Sequence, residues 1–497
     1  MNNHISEKPF LMRCIAPIFF SFVSAFSLLP GLSFAQPDIQ TARMLFEAWP
    51  IPETEAEALP LVSFNIPDQP APVAAGEQGL APGERRSIEE SIQAYIVAVG
   101  DEESEEGPYS TTLTEDLLSA GLLAQQISDH ERALDFFNRA QSVSRINDGL
   151  ENLDQVRIMQ AMVESYMALE QPKEADKIQE NILYLARQAY GEDGIGTIPA
   201  MLDYGIWNMD AFLERSNILL NVPRMNVVQF MNEPMNFIDG GSNLRDTPLF
   251  NLFQAQQTFL QSINILVTNK EYFHPRILEL ENMLQKTYFL SIHRENILYE
   301  PDFYLTRKKS KTGSRLNTNS IELMESEEYK MGNASHERSI AYISNNPERT
   351  NTMVANAMLE AADWHLLFER KVKASRDYQA IYDLFTENPA LEADVAELLY
   401  PEFPVILPTY LPPPNSREKL DIAPDEEVSY FGYFDVSFRI DKYGKAKRVR
   451  FLSEGGEVTR NMEIRLNQYL QNVLFRPLFR NGKPYTDAIS VRYYIAI

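Results

Sequence analysis

Six prolines between Pro401 and Pro414 separate two incompatible hydrophobic periods, and that change of period constrains the fold more than any other feature of the chain. Upstream, apolar and small residues recur at helical intervals; downstream they alternate with polar ones. Proline lacks an N–H and clashes with the preceding helical turn, so helix is expected to stop where Tyr400-Pro-Glu-Phe-Pro404 begins. Pro408, Pro412, Pro413 and Pro414 then favour an extended, polyproline-like path. With 497 residues the chain exceeds one hydrophobic core and suggests about three folded units of roughly 150 residues each. An apolar fraction of 44% is enough to bury cores in all of them. The expected class is a multidomain α+β protein: an all-α body over 111–395, a Pro-rich linker over 396–424, and a small β-hairpin/α/β domain over 425–497.

In the last segment Phe434, Val436, Phe438 and Ile440 fall on one face of a strand, with Asp435, Ser437 and Arg439 on the other. Asp441-Lys-Tyr-Gly444 supplies a turn whose glycine tolerates positive φ, and Val449 and Phe451 continue in a second strand. Met462, Leu466, Tyr469, Leu470 and Val473 recur at helical spacing, so this helix can cover the sheet. After Phe475-Arg-Pro477 and the Asn481-Gly482 turn, a third strand alternates Ile489, Val491, Tyr493 and Ile495 with Ser490, Arg492 and Tyr494.

This order, with Gly432-x-Phe-x-Val-x-Phe-x-Ile-Asp-x-x-Gly444, Phe475-Arg-Pro477 and Asn481-Gly-Lys-Pro484, resembles the C-terminal domain of TonB-family proteins. The resemblance implies a periplasmic module that binds short peptides of outer-membrane receptors by adding them to a sheet edge. An edge strand offers unpaired backbone groups to any extended peptide. By that resemblance the third strand is the edge, Ile489, Ser490, Val491, Arg492, Tyr493 and Tyr494 are the partner-binding residues, and Arg492 and Tyr494 point outward.

From Thr111 the period is helical. One helical pair places Leu117, Gly121 and Ala124 on its first helix and Ala133, Phe137 and Ala140 on its second. That spacing resembles the tetratricopeptide repeat, in which small residues let antiparallel helices approach while a large one fills the groove. A second unit puts Tyr166 and Ala175 where Ala124 and Ala133 stood, and Leu185 to Asp193, leading into Ile198 to Trp207, resembles the longer variant of kinesin light chains. A later pair carries Ala362, Ala374, Tyr378 and Ile381. Helices are expected at 249–268 and 275–293 and a loop at 307–319. The body reads as an irregular solenoid, with a generic helical bundle as the alternative.

The N-terminus reads as an export signal over 1–35: Lys8 and Arg13, an apolar run from Ile15 to Leu29, and Ser33-Phe34-Ala35 before a cleavage point. Cleavage leaves Gln36 first and removes Cys14, the one cysteine, which suits an oxidising compartment. The expected location is the periplasm, or the inner membrane if the signal stays as an anchor. Residues 36–110, with prolines from Pro50 to Pro82 and the acidic run Asp101 to Glu106, read as a linker or irregular arm.

A net charge of −25 argues against nucleic acid as a partner. The charge is split: residues 431–497 hold twelve Lys or Arg against six Asp or Glu, hence +6, which leaves −31 elsewhere. A basic tail of this kind can dock on the acidic body, on an acidic partner or on anionic lipid.

No catalytic constellation stands out. His130-Glu131 lacks the second histidine of a zinc helix, Gly240 to Leu244 lacks the second glycine of a nucleophile elbow, and no phosphate-binding loop occurs. Trp207 and Trp364 read as core residues. The expectation is therefore a non-catalytic scaffold without cofactor, metal or small-molecule substrate, whose repeats bind one protein and whose C-terminal domain docks another, an outer-membrane receptor or other envelope protein. The alternative is an anchored TonB-like energy transducer acting in transport.

Overall fold

The computed structural model describes residues 44–52, 82–218, 248–299, 326–386 and 398–496, except 402, 414, 421, 424–426, 481 and 482. The export signal, the proline-rich stretch 66–75 and the expected loop 307–319 lie outside the described residues. The protein is mostly helical with a small antiparallel sheet, an α+β chain. No described helix is long and apolar enough to cross a membrane.

The helices are α1 (Pro82–Glu106), α2 (Leu113–Gln126), α3 (His130–Asp148), α4 (Gln155–Ala168), α5 (Pro172–Tyr190), α6 (Ile198–Ile218), α7 (Pro248–Thr268), α8 (Arg276–Tyr299), α9 (Glu327–Asn345), α10 (Asn351–Leu367) and α11 (Lys371–Thr386). Each packs mainly against its neighbours in sequence. Helix α1 corrects the expectation of a linker through residue 110. Pro82 stands at its first position, where a missing N–H costs nothing. Its Ile92 and Val99 are buried against α2 and α3, and Glu89 and Glu103 pair with Arg132 and Arg139 of α3. The acidic run at 101–106 is thus partly committed: Glu102 and Glu106 accept the Ser110 hydroxyl at 2.6 and 2.9 Å.

Four helix pairs share one turn. Ser128, Glu170, Lys270 and Glu369 all take left-handed φ values, between 56° and 65°. In each case the next residue donates its N–H five residues back: Asp129 to Ala124, Gln171 to Tyr166, Glu271 to Leu266 and Arg370 to His365. These long bonds satisfy carbonyls that a helix end would otherwise leave unpaired. Ser128 and Glu170 lie 42 residues apart, the offset already evident between Ala133 and Ala175.

Close approach between the helices falls where sequence places small residues. A Cβ on Gly121 would lie 2.3 Å from the Phe137 ring, and one on Gly332 would lie 2.0 Å from the Trp364 ring.

Beyond the helices come β2 (Ile406–Leu407), β3 (Gly432–Ile440), β4 (Ala446–Gly456), α12 (Arg460–Asn472), β5 (Leu474–Phe475), β6 (Phe479–Arg480), β7 (Lys483–Pro484) and β8 (Ile489–Ala496). The hairpin turn forms as expected, with Gly444 at φ +75° and the Asp441 carboxylate accepting from the N–H groups of Tyr443 and Lys445. Phe434, Val436, Phe438, Val491, Tyr493 and Ile495 form the inner face, covered by Met462, Leu466 and Leu470 of α12.

Two further corrections follow. The described part of the expected linker 396–424 is tied down: Leu399, Leu407 and Leu411 are buried in the same core as α6–α11, and β2 pairs with β5. Leu45–Trp49, expected in the arm, form a strand, β1, and the sheet order is β1-β8-β3-β4.

Candidate functional site

The strand expected to be the edge is interior. β8 lies between β3 and β1, with Leu45 opposite Ala496, Glu47 opposite Tyr494 and Trp49 opposite Arg492. Of the residues expected to await a partner, Arg492, Tyr493 and Tyr494 are thus flanked by strands on both sides, whereas Ile489, Ser490 and Val491 pair with β3 and extend beyond the end of β1. What fills the edge is a segment of the same chain.

β1 fits because its side chains alternate between two covered faces. Phe46 points to the inner core and stacks on Tyr469 of α12, ring centroids 5.2 Å apart. Leu45 points the other way, buried with Tyr430, Tyr494 and Ala496. Glu47 accepts hydrogen bonds from Arg417 and from the Tyr430 hydroxyl, whose pKa is pushed up to about 12 by burial and by that carboxylate. The outer side of β1 is closed as well: Phe46 N–H donates to the Asn415 carbonyl at 2.9 Å, and the Asn415 amide donates to the Met44 carbonyl at 2.5 Å.

Arg492 and Tyr494, expected to face outward, are 7% and 1% exposed. Arg492 forms a bidentate pair with Asp435 at 2.7 and 2.9 Å and lies 3.6 Å from the centroid of the Tyr433 ring. Leu420, Ile422, Val428 and Tyr430 cover this face. A charge survives there because the fork of a guanidinium satisfies both carboxylate oxygens while its plane rests on an aromatic ring.

The other edge of the sheet, β4, is uncovered. It carries exposed Lys447, Arg448, Arg450 and Leu452. Register breaks opposite Asp435/Val436 and Ser437/Arg439, and positive φ at Arg448, bulge this strand. Bulges and like charges both discourage pairing with another strand.

The Phe475-Arg-Pro477 phrase has a local role. Arg476 reaches α10 and grips Asp363, with Nη2 at 2.5 Å and Nε at 3.1 Å from Oδ2. The Tyr378 hydroxyl of α11 donates to Asp363 Oδ1 at 2.6 Å, and Arg476 N–H donates to the Val405 carbonyl at 2.8 Å. The sheet module is thereby fixed to the helical body through a buried ion pair, with Leu474 and Phe479 in the body's core.

The repeat residues are where small and large side chains were expected to meet. Gly121, Ala124, Ala133, Phe137 and Ala140 are buried between α2 and α3. Ala175 is buried on α5, and Tyr166 packs partly buried against the α2–α3 core. Ala362, Ala374 and Tyr378 are buried between α10 and α11. Trp364 is buried; Trp207 donates to Asp176 at 2.9 Å. No cluster of three metal-ligating side chains occurs among the described residues.

Sequence reasoning also missed a cavity. Between α8, α9, α10 and the 408–410 segment lies a cavity of about 190 Å³ lined by His336, Glu360 and Tyr410 among others. These residues are scattered over three segments, so no local spacing announces them.

No protein-family model matches the chain, and no curated protein matches it. Among solved structures, the crystal structure of BtubC (BKLC) from P. vanneervenii aligns with a TM-score of 0.31 at 11% identity, covering 63% of this chain and 91% of that one. A likeness this loose assigns no fold and no function.

Proposed function

We propose that the protein is an exported, non-catalytic interaction scaffold of the periplasm. Tetratricopeptide-like helix pairs offer one protein-binding surface, and a TonB-like terminal sheet accepts an extended peptide at β8. The observation that carries the second half is β1 itself. A five-residue segment, more than four hundred positions away in sequence, is held on β8 in antiparallel register, as an added strand would be. A partner strand with an apolar pair ahead of an acid, as in Leu45-Phe46-Glu47, would satisfy the same pockets. The four shared turns and the Gly121–Phe137 contact support the repeat reading. The split charge supports an internal use of the basic tail, since Arg476 within it pairs with Asp363 of the helical body.

The test uses two forms of the chain, mature full-length and one beginning at residue 53. A labelled peptide spanning residues 43–52 should bind the shortened form and be excluded from the full-length form, because a tethered strand competes at high effective concentration. The same peptide with Glu47→Ala should bind more weakly. A folded shortened form that ignores the peptide refutes strand acceptance at β8. Export is tested separately, by recovery of a periplasmic product beginning at Gln36.

A further inference from the structure

The hairpin of β3 and β4 concentrates the basic charge of the sheet module. Residues 439–450 hold Arg439, Lys442, Lys445, Lys447, Arg448 and Arg450 against one acid, Asp441, so six cations less one anion leave +5. Arg476 and Arg492, elsewhere in the module, are committed to buried carboxylates. The hairpin cations are not. Lys445 donates to the Asn472 carbonyl at 3.3 Å and Lys447 lies 3.9 Å from Asp441, whereas Arg439, Arg448 and Arg450 make no ion pair among the described residues. Lys447 also stands directly opposite Arg439, and like charges across a strand pair are destabilising. The fold bears that cost without gaining a contact from it.

The cations lie along a strip with apolar ends. Arg439, Lys447 and Arg450, the last opposite Ser437, share the outer face of the sheet, and Lys442 is exposed in the turn. At one end the turn rests on the α10–α11 junction: a Cβ on Gly444 would lie 3.3 Å from Leu366, and Lys371 Nζ lies 5.6 Å from the Tyr443 ring centroid. Val372, next to Lys371, is 73% exposed; at the other end Leu452 is 57% exposed. From Gly444 to Leu452 the strand runs roughly 25 Å. The carboxylates nearby are Asp441, Glu369, which pairs with Lys371 at 3.1 Å, and exposed Glu454 beyond Leu452. Since Arg476 fixes the module to α10, hairpin and α11 present one rigid surface.

We propose that this strip docks on the anionic headgroups of a lipid bilayer, with Val372 and Leu452 entering the headgroup layer. Cations spread over such a length do not converge on one small anion. Addition of an acidic strand to β4 is opposed by its two register breaks and by the positive φ of Arg448. A folded acidic partner would need carboxylates spaced to match a bulged strand. Headgroups that diffuse laterally meet any spacing, and their boundary with the acyl chains receives exposed apolar side chains. The body, with its excess of acid, is repelled by the same surface, which orients the chain hairpin-first. Beyond about 10 Å that repulsion is screened at 0.1 M salt, so it does not prevent contact. This surface lies on the sheet edge away from β1, so the proposal stands or falls independently of strand acceptance at β8.

The experiment is co-sedimentation of the chain from Gln36, which keeps every described residue and lacks the apolar run Ile15 to Leu29, with vesicles of phosphatidylcholine alone or with about 30% phosphatidylglycerol. Partition onto the anionic vesicles should exceed that onto the neutral ones by about tenfold or more at about 50 mM salt and fall steeply toward about 500 mM. Each basic residue near an anionic leaflet contributes roughly fivefold, so the triple variant Arg439→Ser, Lys447→Ser, Arg450→Ser should lose about a hundredfold. Arg157→Ser, Lys177→Ser and Lys330→Ser together change the net charge equally at exposed sites on the helical body and should alter partition less than about twofold. Equal binding to both vesicles, no binding to either, an equal loss in the two triple variants, or binding of a polyglutamate peptide in preference to the anionic vesicles overturns the proposal.

Discussion

Arg476→Ala should detach the sheet module from the helical body, and the size of the effect follows from burial. In Arg476 and Asp363 the side chains are 11% and 6% exposed, so this pair is far from the surface regime in which an ion pair contributes only about 0–1 kcal/mol. Removing the guanidinium leaves the carboxylate buried with the Tyr378 hydroxyl as its remaining donor, and breaking such a pair costs about 3–5 kcal/mol. Asp363→Leu with Arg476→Met removes both charges at similar volume and should recover most of that loss. A double-mutant cycle on these sites should therefore give a coupling of about 2–4 kcal/mol. The assay is equilibrium urea unfolding of the full chain, followed by far-UV circular dichroism for the helices and by pulsed amide hydrogen exchange of β3 and β8 for the sheet. In the wild-type chain the two probes should share a midpoint; in Arg476→Ala the sheet signal should melt first, because the body no longer holds it. A cost under about 1 kcal/mol, or additivity within about 0.5 kcal/mol, would falsify the claim that this pair joins the two parts.

Three further outcomes are expected. His336 and His365 have pKa values lowered by burial to about 3, so the neutral form is favoured when folded; their stability contribution is complete above about pH 6.5 and is lost as pH falls toward 3, which melting temperatures from pH 7.5 to 4 will show and His336→Gln will partly flatten. Glu360 is the reverse case: its folded pKa of about 6 exceeds the unfolded value of 4.5, so charging it costs stability as pH rises through that window, and Glu360→Gln should stabilise the protein by up to about 2 kcal/mol at pH 7.5 but not at pH 4. Gly332→Ala should destabilise by about 1–3 kcal/mol in chemical denaturation, since its methyl would meet the Trp364 ring from 2.0 Å and that ring is wedged against Phe368 and His336.

The hairpin, α12 and β8 were legible because their signals are local: a period of two, a glycine turn, then a period near 3.6. The helix pairs were legible for the same reason, since Gly121 and Phe137 announce a close approach across one short turn. What sequence hid is non-local. Leu45-Phe46-Glu47-Ala48-Trp49 is too short to declare a strand and becomes one only opposite residues 492–496. Its absence from the reading made β8 an edge and sent Arg492 outward. Asp435 and Arg492, opposite charges on matching strand faces, were the available hint that this face was closed. Helix α1 was obscured by its charge, although Pro82 and the spacing of Ile88, Ile92 and Val99 fit a helix start and one buried stripe. Proline content misled at 398–411, where Leu407 and Leu411 are core residues despite the prolines beside them.

These non-local contacts change what the terminal sheet can do. A domain on a free linker could present its edge in any orientation, and its peptide affinity would be independent of the body. Here β1 lies along β8, Asn415, Arg417 and Tyr430 hold β1, and Arg476 ties the sheet module to α10. Exchange of β1 for an outside strand must break the Glu47 contacts with Arg417 and Tyr430 and uncover Leu45 and Phe46. If β8 accepts a partner strand as proposed, its apparent affinity is the intrinsic affinity multiplied by the fraction of molecules in which β1 is open. Substitutions that touch only the clasp, such as Arg417→Ala, should raise apparent peptide affinity without altering the peptide's own contacts along β8. If Arg417→Ala leaves peptide affinity unchanged while Glu47 is shown to be freed, β1 is structural rather than exchangeable, and partners must be sought on the helical surface instead.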